Sequence, residues 1–205
     1  MKGQFFPYKD ENPSSGMPYV TYALIAVNVI IFIISLFDYE RIISAYGFTP
    51  AYFSIATIFT SMFLHGGIDH LFGNMWYLFI FGDNVEDKLG KVKYVVFYFL
   101  SGLAATLTHF ISDINSVIPA IGASGAISGV LGAYLAYFPS VKVHVGSGTV
   151  DARFVIGFWF VLQLIFGFGS FLGTSGSGIA FFAHIGGFVF GYVAAKIIKQ
   201  FSKGS

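Results

Sequence analysis

Apolar residues along this chain gather into six long runs, at residues 19–37, 69–85, 92–111, 124–138, 153–170 and 180–198. Each run approaches the length of a bilayer crossing, about 15 to 20 residues, and the pattern predicts a helix over each. The residues between them punctuate consistently: Pro18 precedes the first run, Gly90 divides the second from the third, Pro119 and Gly122 precede the fourth, and Pro139 closes it. "GSFLGTSGSG" (169–178) is expected to be a flexible loop and "KVHVGSGTVDAR" (142–153) a hydrophilic turn. With no evident internal repeat and no long linker, the expectation is one helical domain over 19–198, preceded by a polar lead (1–18) and followed by a short tail (199–205).

Composition identifies the solvent of these helices. Of the 205 residues 56% are hydrophobic, 20% aromatic and only 10% charged, and the mean hydropathy is +0.75. These values exclude an ordinary soluble domain and predict an all-α polytopic membrane protein, a bundle of six transmembrane helices. Cysteine is absent, which removes disulfides, thiol nucleophiles and cysteine-bound metals. The net charge of +1 says little, but its distribution says more. Once loops are assigned, Lys2, Lys9, Lys88, Lys91, Lys93, Lys142, Arg153, Lys196, Lys199 and Lys203 fall on one side and only Arg41 on the other. The positive-inside bias then puts both termini in the cytoplasm. The polar, proline-containing lead argues against a cleaved signal peptide, so the first run is read as a retained span.

With that topology the second, fourth and sixth spans all begin at the external side. Their first turns carry His70 and Asn74, then Ser124, then His184. Ionisable groups in a membrane are costly and generally face the bundle or a hydrated cavity, so a convergence of four at one depth predicts a site. On the fourth span Ser124, Ser128, Gly132 and Ala136 share a face, and on the sixth His184, Gly187, Gly191 and Ala195 do the same. Close approach along these small-residue stripes would bring the Ser124 hydroxyl to the His184 imidazole. A serine beside a histidine base is an activated nucleophile that needs donors for a developing oxyanion. His70, Asn74 and the Ser124 backbone N–H at a helix N-terminus are the candidates.

"GASGA" around Ser124, "AHIGGFVFG" around His184 and "HLFGN" with His70 and Asn74 resemble the signatures of the rhomboid intramembrane serine proteases, in the order that family has them. The resemblance extends over roughly 19–198, includes "TSMFLHGG" and "VEDKLG", and is to the basic six-helix form. It implies that Ser124 is the nucleophile, His184 the general base and acid, and His70 and Asn74 the oxyanion side chains. It also implies structural positions near the site for His65, Glu86, Ser128, Gly187 and Gly191. The chain departs from the family pattern at Ser128, where some members carry an aromatic that packs on the catalytic imidazole, and in residues 38–67, which lack a Trp-Arg pair that some members have. An aromatic at position 128 is thus not what orients His184.

The activity implied is hydrolysis of a peptide bond in or near the external end of a substrate transmembrane segment. The partners would be transmembrane protein substrates and the lipid bilayer, with no cofactor, no metal and no nucleic acid, and the setting a plasma membrane with the site towards the outside. Taken singly, each residue has a blander reading: Ser124 as an N-cap or packing residue, His184 as a packed polar group, Asn74 as interhelical glue. For His65 a hydrogen bond within its loop is expected, while His109 and His144 have no evident role. A zinc site of His65, Asp69 and His70 lacks the His-Glu-x-x-His spacing of a metalloprotease. Two other functions compete: a catalytically silent rhomboid-like protein that binds membrane helices, and a small transporter, which would place its polar cluster near the bilayer midplane. The bulky fifth span, with Phe154, Phe158, Trp159, Phe160 and Phe166, is a candidate lipid-facing gate, and 169–178 a candidate lid.

Overall fold

A helix of 14 residues, α6 (Ser124–Tyr137), lies at the centre of the molecule, with twelve of its residues buried. The computed structural model describes residues 7–172 and 180–202. Helices occupy all six predicted stretches: α1 (Tyr19–Ser35), α4 (Ile68–Leu89), α5 (Lys91–Ser112), α6, α7 (Ala152–Phe171) and α8 (Phe181–Phe201). Two short helices, α2 (Tyr39–Tyr46) and α3 (Ile55–Thr60), and two single 3-10 turns fill the connection from α1 to α4. Among the described residues three helices, α5, α7 and α8, are both long and apolar enough to cross a membrane, and α1 is a shorter apolar helix. The last turn of α4 carries Glu86, Asp87 and Lys88, so this helix runs four residues beyond the apolar stretch that announced it.

Glycine explains how α6 can be surrounded. A Cβ on Gly187 of α8 would strike the Gly125 carbonyl, one on Gly191 the Gly129 carbonyl, and one on Gly132 the Phe188 carbonyl. The backbones of α6 and α8 therefore touch along glycine steps. The stripe that α6 offers to α8 is Gly125, Gly129 and Gly132, one position round from the serine stripe expected to make that contact. Ser124 and Ser128 line a cavity shared with residues of α4 and α8, and the Ser128 hydroxyl donates to the Ser124 carbonyl at 2.6 Å.

The connection before α4 pins the segment before α6. Phe48 and Ala120 exchange backbone hydrogen bonds of 3.1 and 2.8 Å, and the Gly122 N–H donates to the Ser61 carbonyl at 2.9 Å. At the other end of α6 stands a three-stranded antiparallel sheet that the sequence reading did not anticipate. Its strands are β1 (Pro7–Asp10), β2 (Lys142–Val145) and β3 (Gly148–Asp151), in the order β1-β2-β3. The stretch read as a hydrophilic turn is a hairpin, with Val145 opposite Gly148 and Gly146 at φ 59°. A positive φ at the first of the two turn residues is what a II′ hairpin asks of glycine. The polar lead is likewise part of the fold: β1 pairs with β2, and the Trp76 indole donates to the Pro7 carbonyl at 2.8 Å.

Candidate active site

Three helices, α4, α6 and α8, bring their N-terminal ends to one cavity of about 650 Å³, whose lining includes His70, Asn74, Ser124, Ser128, Trp159 and His184. Ser124 opens α6, where the first-turn N–H groups have no carbonyl within the helix to bond. His184 lies in the first turn of α8. The glycine contact below them sets their separation, and His184 Nε2 stands 2.8 Å from Ser124 Oγ. Both residues are half-buried, so they meet at the cavity wall rather than inside packed core.

α4 supplies two further groups. Asn74 is buried, and its Nδ2 has no hydrogen-bond partner among the described residues. His70 Nδ1 accepts from the Gly66 N–H at 3.2 Å. In the neutral ring that acceptor role leaves the proton on Nε2, and Nε2 is the nitrogen turned towards Gly122. Gly122 has φ 127°, and a Cβ there would come within 2.8 Å of His70 Nε2. Only glycine accommodates both the backbone angle and the imidazole. A hydroxyl, a basic imidazole bonded to it, and two N–H donors around one hollow form a constellation that can carry acyl transfer through a tetrahedral oxyanion.

The other residues named from the sequence are placed as follows. His65 is fully buried, with its ring centroid 5.1 Å from that of His70. Among the described residues neither of its nitrogens makes a well-aligned hydrogen bond, although the Phe63 backbone of the same loop interacts with the ring. Burial, reinforced by the adjacent His70, lowers its pKa to about 4 and keeps the ring neutral. Gly187 and Gly191 make the α6–α8 contact, and Ser128 lines the cavity. Glu86 is not near the site: it stands about 18 Å further along α4 than Asn74, at 1.5 Å per residue, where it binds the start of α1. His109 lies in the last turn of α5. His144 pairs with Glu11 at 3.0 Å on the sheet. Among the described residues no group of three or more His, Cys, Asp or Glu side chains could hold a metal. The candidate lid and flexible loop, 169–178, begins inside the last turn of α7 rather than after it, and its residues 173–178 lie outside the described residues.

The sequence reading missed one contact and misplaced another. Gln163 of α7 is buried, and its Oε1 lies 2.7 Å from His184 Nδ1. Trp159, one turn earlier and grouped with a lipid-facing set, instead tilts over the imidazole at a centroid distance of 6.0 Å. Phe160 stacks on Phe188 at 4.2 Å, whereas Phe154, Phe158 and Phe166 are exposed on the outer side of α7. The available signal for Gln163 was its isolation: between Arg153 and Ser170 it is the one amide or charged side chain in α7.

The Rhomboid domain family model matches residues 52–201. The chain belongs to the rhomboid family. Among its relatives are Inactive RHOMBOID-like protein 8 of Arabidopsis thaliana, 32% identical over 64% of this chain and 35% of its own length, and Rhomboid protease GluP of Bacillus subtilis (strain 168), 32% identical over 69% of this chain and 25% of its own. A third, RHOMBOID-like protein 6, mitochondrial, of Arabidopsis thaliana, is 28% identical over 69% of this chain and 43% of its own length. The chain thus matches less than half the length of each of these relatives. As a rhomboid with several long apolar helices it is an integral, multi-pass membrane protein. The relatives thus include one named as a protease and one named as inactive.

Proposed function

We propose that this rhomboid is an intramembrane serine endopeptidase that cuts substrate transmembrane segments near their external end. The observation that carries the reading is the 2.8 Å contact of Ser124 Oγ with His184 Nε2, in a cavity shared with Asn74, whose Nδ2 has no partner among the described residues. His184 takes the Ser124 proton as the hydroxyl attacks the scissile carbonyl. The oxyanion rests on Asn74 Nδ2, His70 Nε2 and the backbone N–H of Ser124. His184 then protonates the leaving amine, and water resolves the acyl-enzyme.

The six long helices are the spans of the catalytic domain, 19–198, with both termini in the cytoplasm and the site towards the outside of the plasma membrane. The 14 residues of α6 cover only ~21 Å at 1.5 Å per residue, less than a ~30 Å hydrocarbon core. Ser124 therefore sits below the surface yet faces the cavity, which explains how a hydrolase hydroxyl can open an apolar helix.

A silent helix-binding rhomboid is the second reading, favoured by the relative named as inactive. Cleavage of a transmembrane reporter in liposomes, together with fluorophosphonate labelling, separates the two. Ser124→Ala and His184→Ala each abolish cleavage without adding to one another, and labelling needs both residues. Asn74→Ala lowers turnover by about 10²- to 10³-fold and slows labelling without stopping it. A wild-type protein that neither cleaves nor labels is the silent form, and loss of cleavage on adding EDTA would replace the serine mechanism altogether.

A further inference from the structure

We infer that Gln163 is the positioning residue of His184, holding the imidazole in the tautomer and plane that let Nε2 act as a base. The inference rests on the proposed role of His184. A neutral imidazole has one N–H and one lone pair, so accepting the Ser124 proton at Nε2 requires the ring hydrogen on Nδ1. In this apolar surrounding the Nδ1–H needs an acceptor, and Gln163 Oε1 is 2.7 Å away. The amide is itself oriented: its Nε2 points back at the Trp159 carbonyl, at 3.5 Å. Turned over, the amide would set Oε1 against that carbonyl and offer an N–H to Nδ1. The hydrogen would then move to Nε2, and His184 would donate to Ser124 instead of accepting from it.

Trp159 and Gln163 are four residues apart, so α7 presents both on one face. The indole, tilted 36° to the imidazole, flanks the ring while the amide fixes its edge. This pair fills the place left by Ser128, which bonds its own helix at the Ser124 carbonyl and has no ring to offer. A neutral acceptor here also differs in kind from the carboxylate of a Ser-His-Asp triad: it selects the tautomer without adding a charge to the apolar bundle.

The test compares Gln163→Leu and Gln163→Met, which remove the acceptor at similar volume, with Gln163→Glu, which keeps an oxygen at that position. General-base catalysis contributes about 10²- to 10⁴-fold. We expect Leu and Met to lower kcat by about 10- to 100-fold with KM within about twofold, labelling to fall in parallel, and Glu to restore most of the rate. The ¹⁵N ring signals of His184 give a readout independent of cleavage: Nδ1–H in the wild type and in Gln163→Glu, and a mixture of tautomers in Gln163→Leu. Wild-type kcat and an unchanged Nδ1–H signal in both Leu and Met variants would overturn the inference. So would a Glu variant as impaired as Leu. A wild type that fails to cleave, with a ring signal that still changes in Gln163→Leu, would sink the protease reading and leave the positioning role standing.

Discussion

Removing the Glu86 carboxylate should loosen α1 without touching the chemistry. Glu86 is 3% exposed. Its Oε1 accepts from the Val20 N–H at 3.0 Å, and its Oε2 accepts from the Thr21 N–H at 2.8 Å and the Thr21 hydroxyl at 2.9 Å. The N-terminus of a helix leaves its first N–H groups without internal partners, and Pro18 as the preceding residue provides no side-chain cap. One carboxylate from α4 therefore does the capping for α1. Bonds to a charged acceptor contribute about 1.5–3 kcal/mol each. Thr21 is fully buried and loses both of its bonds to Glu86, its hydroxyl keeping only the Tyr94 hydroxyl at 3.4 Å, while Val20 is half-buried and can turn to water. We expect Glu86→Ala to cost about 3–5 kcal/mol and Glu86→Gln, which keeps one acceptor oxygen, about 1–2 kcal/mol. For a chain of this size that is roughly 6–20 °C and 2–8 °C in apparent Tm. The assay is thermal unfolding in micelles, with fluorophosphonate labelling at low temperature as a control on the folded fraction. Labelling per folded molecule should stay within about twofold of wild type, since the site is ~18 Å distant along α4. An Ala variant within a degree or two of wild type, or a Gln variant as damaged as Ala, would refute the capping argument.

Two further outcomes follow from the packing and the charges. Gly191→Ala puts a Cβ on the Gly129 carbonyl, so it should lower Tm sharply and reduce labelling by parting α8 from α6, whereas Gly157→Ala, with nothing within 4 Å, should hold or raise Tm; equal behaviour would deny the glycine contact. Asp10 in β1 has its pKa raised from 3.8 to about 6, chiefly by burial and also by the nearby Asp83, with the Tyr134 hydroxyl opposing. The folded state thus binds the proton more tightly than the unfolded one, so ionised Asp10 destabilises the fold fully above pH 6, and that effect disappears as pH falls towards 3.8. Discounted for partial exposure this is about 1–2 kcal/mol. Asp10→Asn should therefore raise Tm at pH 8 and leave it unchanged at pH 4, and a Tm difference that does not vary with pH would deny the shift.

Some of this architecture was legible because lipid imposes it. A helix in hydrocarbon must satisfy its own backbone, so length and apolarity reveal it without tertiary information, and the six runs fall on six helices. The convergence of His70, Asn74, Ser124 and His184 was legible because each stands near the N-terminal end of its own helix, α4, α6 or α8, and those ends share one cavity. Residue spacing left the register of α6 undetermined. A period of four identifies faces, but α6 has two adjacent small-residue faces, 124/128/132 and 125/129/132, and only the partner helix selects between them. The β-sheet was hidden differently. Each strand has four residues, and β1 and β2 are separated in sequence by the whole of α1 to α6. Even so, the alternation in "VKVHVGSGTVD" around a glycine turn was a hairpin signal that an overall impression of polarity obscured.

The polar groups of the site differ in how they are satisfied, and the difference tracks their proposed roles. Ser124, His184 and Gln163 form an unbroken chain from hydroxyl to amide, so the resting bundle already bears little desolvation cost for them. Asn74 Nδ2 stands apart as a buried donor without a partner among the described residues, which costs about 1–3 kcal/mol. Packing does not require that cost, since an apolar side chain of similar size would fill the same wall of α4. On the proposed mechanism the donor acquires its partner when the oxyanion forms in the cavity beside it. The unfavourable term in the resting protein then becomes a difference in favour of the transition state, which is the only kind of interaction that raises kcat. Stability and catalysis therefore pull against each other at this one side chain. Asn74→Leu should be the substitution that strengthens the bundle while it slows the reaction.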